Sequence, residues 1–75
     1  MKFNENKITI VTRDINGKRL ALEFANEAAV LGWIDNGYLD EDDEILIVAQ
    51  GGICLYSALG NNIPLYIDDL TGFFA

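Results

Sequence analysis

Residues 45–58, ILIVAQ-GG-ICLYSA, decide the fold, because two apolar runs flank a pair of glycines. Apolar, β-branched runs joined by two glycines are typical of a β-hairpin with a two-residue turn. Such a turn fixes the register of the two strands, which pairs Val48 with Leu55 and Ile47 with Tyr56. The sequence therefore predicts an antiparallel hairpin here.

The first of these runs is apolar on both of its faces. With regular alternation, Ile45, Ile47 and Ala49 share one face, and Leu46 and Val48 share the other. A sheet with one face in water alternates apolar and polar residues instead. One helix covers only one face, so we expect the C-terminal segment or a second copy of the chain to cover the other. This pattern favours a homodimer.

A second hairpin is predicted from the alternating runs 7–13 (KITIVTR) and 18–24 (KRLALEF). A two-residue turn at Asn16–Gly17 would put their apolar stripes on opposite faces. A three-residue loop with Gly17 in the left-handed conformation keeps them on one face. This register places Ile8 opposite Phe24 and Ile10 opposite Leu22.

A helix is predicted over roughly 27–36, with Asn26 as its N-cap and Gly37 after its last turn. Val30, Trp33 and Ile34 share one face of that helix. Further along the chain, the sequence predicts a solvated loop at 40–44, an edge strand at 63–67 and a short helical turn at 69–74 capped by Asp68.

These elements predict one compact α+β domain over residues 1–75. Its order is ββαββ(β), with one helix packed on a mostly antiparallel sheet and a short C-terminal helical turn.

The charges are divided unevenly along the chain. The 12 acids and 5 bases give a net charge of −7, and all the bases lie in residues 1–19. This balance disfavours direct binding to nucleic acid, because duplex affinity comes largely from cations on phosphates. Since the bases fall on the first hairpin and many acids fall on 40–44, we expect a polarised molecule with one acidic end.

Several catalytic chemistries are excluded by composition. The chain has no His and a single Cys, Cys54, so it has neither a Ser-His-Asp triad nor a Cys-His pair. Zinc sites built from His or from four Cys are excluded as well. We expect no cofactor, no metal and no enzymatic activity. The N-terminus lacks a signal-peptide core and no apolar run is long enough to span a membrane, so we expect a cytoplasmic protein without membrane contact.

The acidic run is the first candidate partner-binding site, and its five members are Asp40, Glu41, Asp42, Asp43 and Glu44. Its simplest interpretation is a solvated loop. Its first residues have the oxygen spacing of an EF-hand loop, but the Gly and the final Glu of that loop are missing. The run also suggests a mimic of nucleic-acid phosphates that competes for the basic groove of a nucleic-acid-binding protein. In composition it resembles small inhibitors from phages and mobile elements.

The C-terminal residues Leu70, Phe73 and Phe74 are the second candidate. Their spacing resembles the sliding-clamp docking peptide Q-x-x-L-x-x-F-F, with Ile67 in place of the Gln. Such a turn presents three apolar anchors to a groove. Alternatively, these side chains close the protein's own small core.

Taken together, the sequence favours a small acidic, non-enzymatic protein-interaction module that self-associates through an apolar sheet face. Its expected partner is a second copy or another protein. The alternative is an acidic nucleic-acid mimic that inhibits or modulates a nucleic-acid-binding protein.

Overall fold

A computed structural model describes residues 3–37, 42–60 and 63–74, and it confirms the predicted α+β fold. Its elements in chain order are β1 (Ile8–Arg13), β2 (Arg19–Phe24), α1 (Glu27–Asp35), β3 (Glu44–Gln50), β4 (Ile53–Ser57), β5 (Leu65–Tyr66), a 3₁₀ turn (Ile67–Asp69) and α2 (Leu70–Phe74). The strands pair antiparallel in the order β2-β1-β3-β4, and β5 pairs with the start of β3.

The first hairpin has the predicted three-residue loop. Gly17 adopts a φ of 83° and donates its N–H to the carbonyl of Asp14 at 2.9 Å. Asp14 in turn donates its N–H to the carbonyl of Lys18 at 2.9 Å. The register pairs Ile8 with Phe24 and Ile10 with Leu22, as predicted. The apolar stripes of β1 and β2 therefore lie on the same face of the sheet.

Helix α1 also begins where the sequence predicts. The side chain of Asn26 accepts the N–H of Ala29 at 2.9 Å, which satisfies one of the free donors of the first turn. Asn36 is the C-cap, and Gly37 follows it with a φ of 68°. The predicted helix is confirmed, with its last residue at Asp35.

The register predicted for the second hairpin is wrong beyond its turn. Gly51 and Gly52 have φ values of 61° and 82°, so the two-residue turn forms. A bulge then shifts the pairing, and Leu55 has no partner. As a result Val48 pairs with Tyr56 and Ile47 pairs with Ser57, one residue beyond the predicted partners.

The regular alternation predicted for β3 is also wrong. Ile45 and Val48 are both fully buried in the core, although they are three positions apart and regular alternation would place them on opposite faces. The β1–β3 register shifts at this point: Val11 pairs with Ile47, Thr12 pairs with Ile45, and Leu46 has no partner in β1. This bulge places two consecutive residues of β3 outside the core.

Both helices pack on one face of the sheet. Val30 of α1 and Leu70 and Phe74 of α2 share a buried cluster with residues of the sheet and the 3₁₀ turn, namely Ile8, Ile10, Ile45, Val48, Tyr56 and Ile67. The C-terminal segment therefore adds to the face that α1 already covers. It does not cover the second face.

The cap predicted for the C-terminal turn is wrong, because the N-cap is Tyr66 and not Asp68. Asp69 accepts the N–H of Tyr66 at 2.8 Å, whereas the main-chain carbonyl of Asp68 accepts the hydroxyl of Thr71 at 2.7 Å. The helical segment consequently begins at Ile67, two residues earlier than predicted.

Candidate interaction surface

We call the side of the sheet turned away from α1 and α2 the far face. Directly opposite residues of an antiparallel pair lie on the same face. Val11 is opposite Ala21 on one side and Ile47 on the other, while its neighbour Ile10 points into the core. Extending this alternation along β1 and β2 gives the other members of the far face there, namely Thr9, Arg13, Arg19 and Glu23.

A groove of about 260 Å³ crosses the far face. Its lining is mostly apolar and comprises Val11, Leu46, Ile47, Ser57, Ala58 and Leu59, with Arg13 and Arg19 at one end. The bulge in β3 is what brings Leu46 and Ile47 into this groove together.

The segment after β4 forms one wall of the groove. Ala58 donates its N–H to the carbonyl of Leu46 at 2.8 Å, and Gly60 donates to the carbonyl of Ser57 at 3.1 Å. This turn carries Leu59, whose side chain is 98% exposed. A large apolar side chain held beside an apolar groove and open to water is typical of an interaction surface.

None of the described residues of α1 or α2 covers the far face, because both helices contribute to the core on the opposite side. Val11, Leu46 and Ile47 are only half-buried, and none of the three belongs to the core cluster. The apolar run of β3 thus has one face covered by the two helices and one face that no described helix covers.

The described part of the acidic run lies against the basic hairpin of the same chain. Glu44 is the first residue of β3, is opposite Arg13 in the register, and its carboxylate forms an ion pair with that guanidinium. Asp43 is buried and lines a pocket of about 170 Å³ whose other members are Thr12, Asp14, Lys18 and Leu20.

Asp43 and Glu44 therefore lie beside the basic hairpin, and not at the separate acidic end that the sequence predicts for the run. Because β1 and β3 run antiparallel, the end of β1 that carries Arg13 lies beside the start of β3. The solvated loop predicted at 40–44 is also shorter than expected, since Asp43 is buried and Glu44 is in a strand. Asp42 is exposed, whereas Asp40 and Glu41 lie outside the described residues.

The candidate C-terminal residues differ in burial. Leu70 is fully buried and Phe74 is 5% exposed, and both belong to the core cluster. Phe73 is 37% exposed, with its ring centroid 6.2 Å from that of Phe74. Ile67, which stands where the docking peptide has Gln, is buried too. Docking through this segment requires Leu70 and Phe74 to leave the core.

Arg19 carries a charge at one end of the groove. It is opposite Arg13, but of the two only Arg13 has an ion-pair partner among residues 3–37, 42–60 and 63–74. The groove itself was not predicted from the sequence. The one sequence feature that pointed to the groove was the apolar character of both faces of β3. No residue of that run marks the position of the bulge.

The described part of the chain has neither a metal cluster nor a membrane-spanning helix. Its described residues contain no group of three or more Cys, Asp or Glu side chains placed to hold a metal ion. None of its helices has the length and apolar character needed to cross a membrane.

Comparison of the chain with protein-family models, with curated proteins and with solved structures finds no match.

Proposed function

We propose that this protein is a small, acidic, non-enzymatic interaction module that associates with a second copy of itself through the far face. The observation that carries this proposal is the open apolar groove beside Leu59. Association of two such faces would remove Val11, Leu46, Ile47 and Leu59 from water. The favourable free energy of association is about 25 cal/mol for each Å² of apolar surface that is buried.

The rim of the groove supports the same proposal. Arg13 and Arg19 stand at one end, and arginine is enriched at protein interfaces, where its stem packs on apolar groups while its guanidinium stays hydrated. An apolar centre with a charged border is the usual anatomy of a protein–protein interface.

The size of the far face sets the expected strength of this contact. Four strands spaced about 4.8 Å apart and about six residues long outline roughly 400 Å². A standard interface buries about 800 Å² on each partner. We therefore expect a weak, concentration-dependent association.

We further propose that the module works in the cytoplasm. Cys54 is free and exposed on β4. An unpaired, accessible thiol is most compatible with a reducing compartment.

The alternative function, a mimic of nucleic-acid phosphates, has less support. Glu44 is engaged with Arg13, and Asp43 lines a pocket with Lys18. A phosphate mimic needs carboxylates that face outward together, whereas Glu44 is paired with Arg13 and Asp43 is buried.

Sedimentation equilibrium of a groove variant and a matched control tests the proposal. Leu59→Glu puts a charge beside the groove at a side chain that has no role in the core. Ile53→Glu makes the same change at a side chain that is 66% exposed and lies opposite Gln50, which hydrogen-bonds to Glu27 of α1. We expect Leu59→Glu to lower the average mass of the species in solution at a given protein concentration, and Ile53→Glu to leave that mass unchanged.

Salt provides a second readout, because apolar association strengthens in kosmotropic salt whereas charge-driven association weakens. Equal masses for the wild type and Leu59→Glu at every concentration would contradict the far-face proposal. Capture of a basic nucleic-acid-binding protein that salt releases would favour the mimic.

A further inference from the structure

The outer edge of β2 presents unpaired backbone groups. Asp14 and Lys18 form a hydrogen-bonded pair at the turn. Hydrogen-bonded and non-hydrogen-bonded pairs alternate along an antiparallel ladder. It follows that Arg19, Ala21 and Glu23 of β2 direct their N–H and C=O groups away from β1.

This edge lacks three of the features that usually prevent strands from pairing, namely a bulge, a proline and a covering segment among the described residues. The six pairs between β1 and β2 are consecutive, so β2 has no bulge, and it contains no Pro. Arg19, Leu20, Ala21 and Glu23 are exposed, and no described residue pairs with the outer side of the strand. Long edges of this kind are templates for the addition of another strand.

The residues along the edge are complementary to themselves. In residues 19–23, RLALE, a cation and an anion stand at equal distances from Ala21, with one Leu between on each side. Arg19 and Glu23 share the far face, about 13 Å apart along the strand, which is too far for them to pair within one chain. No contact with another described residue satisfies either charge.

We propose that a second copy of the chain adds to this edge, antiparallel and centred on Ala21, to form one continuous sheet. In that register Arg19 lies directly opposite Glu23 of the second copy, and Leu20 lies opposite Leu22. Each outward-facing pair exchanges both of its N–H···O bonds. Opposite charges and apolar side chains that face each other across strands stabilise the pairing.

The edge contact is separate from the far-face contact, and it also enlarges that surface. Pairing through β2 joins two far faces side by side, so the outlined area rises from roughly 400 to roughly 800 Å², the size of one side of a standard interface. The edge dimer is therefore the unit whose far face is large enough for stable docking.

Two charge reversals test this register, both made in the Leu59→Glu chain so that the far face does not contribute. Arg19→Glu places two acids opposite each other in the edge dimer, and Glu23→Arg places two arginines opposite each other. We expect the Leu59→Glu chain to reach the mass of a dimer as its concentration approaches about 1 mM, and each reversal alone to remain a monomer there.

An equimolar mixture of the two reversals distinguishes the edge contact from a general loss of structure. In a mixed pair every acid faces an arginine, so the mixture regains the dimer mass. Lys7→Glu makes the same charge change as Arg19→Glu outside β2, and it leaves the dimer intact. Ala21→Pro removes an outward N–H without removing a hydrogen bond to β1, and it prevents the dimer.

Three results would overturn the edge proposal. The first is a Leu59→Glu chain that stays monomeric, the second is a dimer that survives either reversal, and the third is a mixture of reversals that stays monomeric. These results do not depend on whether the Leu59→Glu chain has a lower average mass in solution than the wild type. That comparison is the separate test of the far face.

Discussion

Neighbouring phenylalanines in α2 provide a sharp test of the core. Phe73 and Phe74 are chemically identical, yet Phe74 is 5% exposed and Phe73 is 37% exposed. Phe74→Ala leaves a cavity in the core and lowers the free energy of unfolding by about 3–5 kcal/mol. Phe73→Ala removes a partly exposed ring and its contact with Phe74, which lowers the free energy of unfolding by about 1 kcal/mol.

These losses are large for a chain of this size. A 75-residue domain has a total free energy of unfolding of about 4–11 kcal/mol. With an m-value of about 1 kcal/mol/M in urea, Phe73→Ala lowers the unfolding midpoint by about 1 M and Phe74→Ala lowers it by about 3 M or more.

Urea titration followed by the fluorescence of Trp33 and by circular dichroism measures both variants. Phe74→Leu, which keeps most of the buried volume, gives an intermediate loss and keeps the comparison measurable if Phe74→Ala does not fold. Equal losses for the alanine variants, or a larger loss for Phe73→Ala, would refute the placement of α2. A free docking tail predicts negligible losses for both.

Three further changes test the local structure by the same titration. Gly52→Ala lowers the free energy of unfolding by about 1–2 kcal/mol, because φ is 82° and the added Cβ would lie 3.1 Å from a side-chain carbon. A Cβ added at Gly60 meets nothing within 4 Å, so Gly60→Ala lowers it less. Asn26→Ala removes the N-cap of α1 and costs about 1 kcal/mol, and no loss would contradict the cap. Glu44→Gln breaks the half-exposed ion pair with Arg13 and costs at most about 1 kcal/mol, a loss that shrinks as salt is added; a loss insensitive to salt would contradict an ionic contact.

Turns and caps could be predicted from the sequence because each depends on a few neighbouring residues. The position of Gly17 decides between two loop lengths, and only one of them keeps Ile8 and Phe24 on the same face. Asn26 likewise marks the start of α1 by a hydrogen bond to its own first turn.

The two bulges, one between β1 and β3 and one within the β3–β4 hairpin, could not be predicted. Leu46 and Leu55 lie within uniformly apolar runs, where no side chain marks the point at which the pairing shifts. The shift in β3 lets Ile45 and Val48 both enter the core and leaves Leu46 beside Ile47 in the groove.

The charge distribution shows the same limit. The separation of acids from bases along the chain is real, but the antiparallel pairing of β1 with β3 brings Arg13 to Glu44. Sequence distance therefore does not predict spatial distance here. Only the paired strands reveal that part of the acidic run faces the basic hairpin of its own chain.

The most direct measurement of the central claim is a dilution series followed by methyl NMR, from roughly 1 mM to roughly 10 μM. If copies of the chain meet through the far face, the methyl resonances of Ile47 and Leu59 shift with concentration while that of Ile53 stays fixed. Resonances of Ile47 and Leu59 that do not move across the series would contradict the claim.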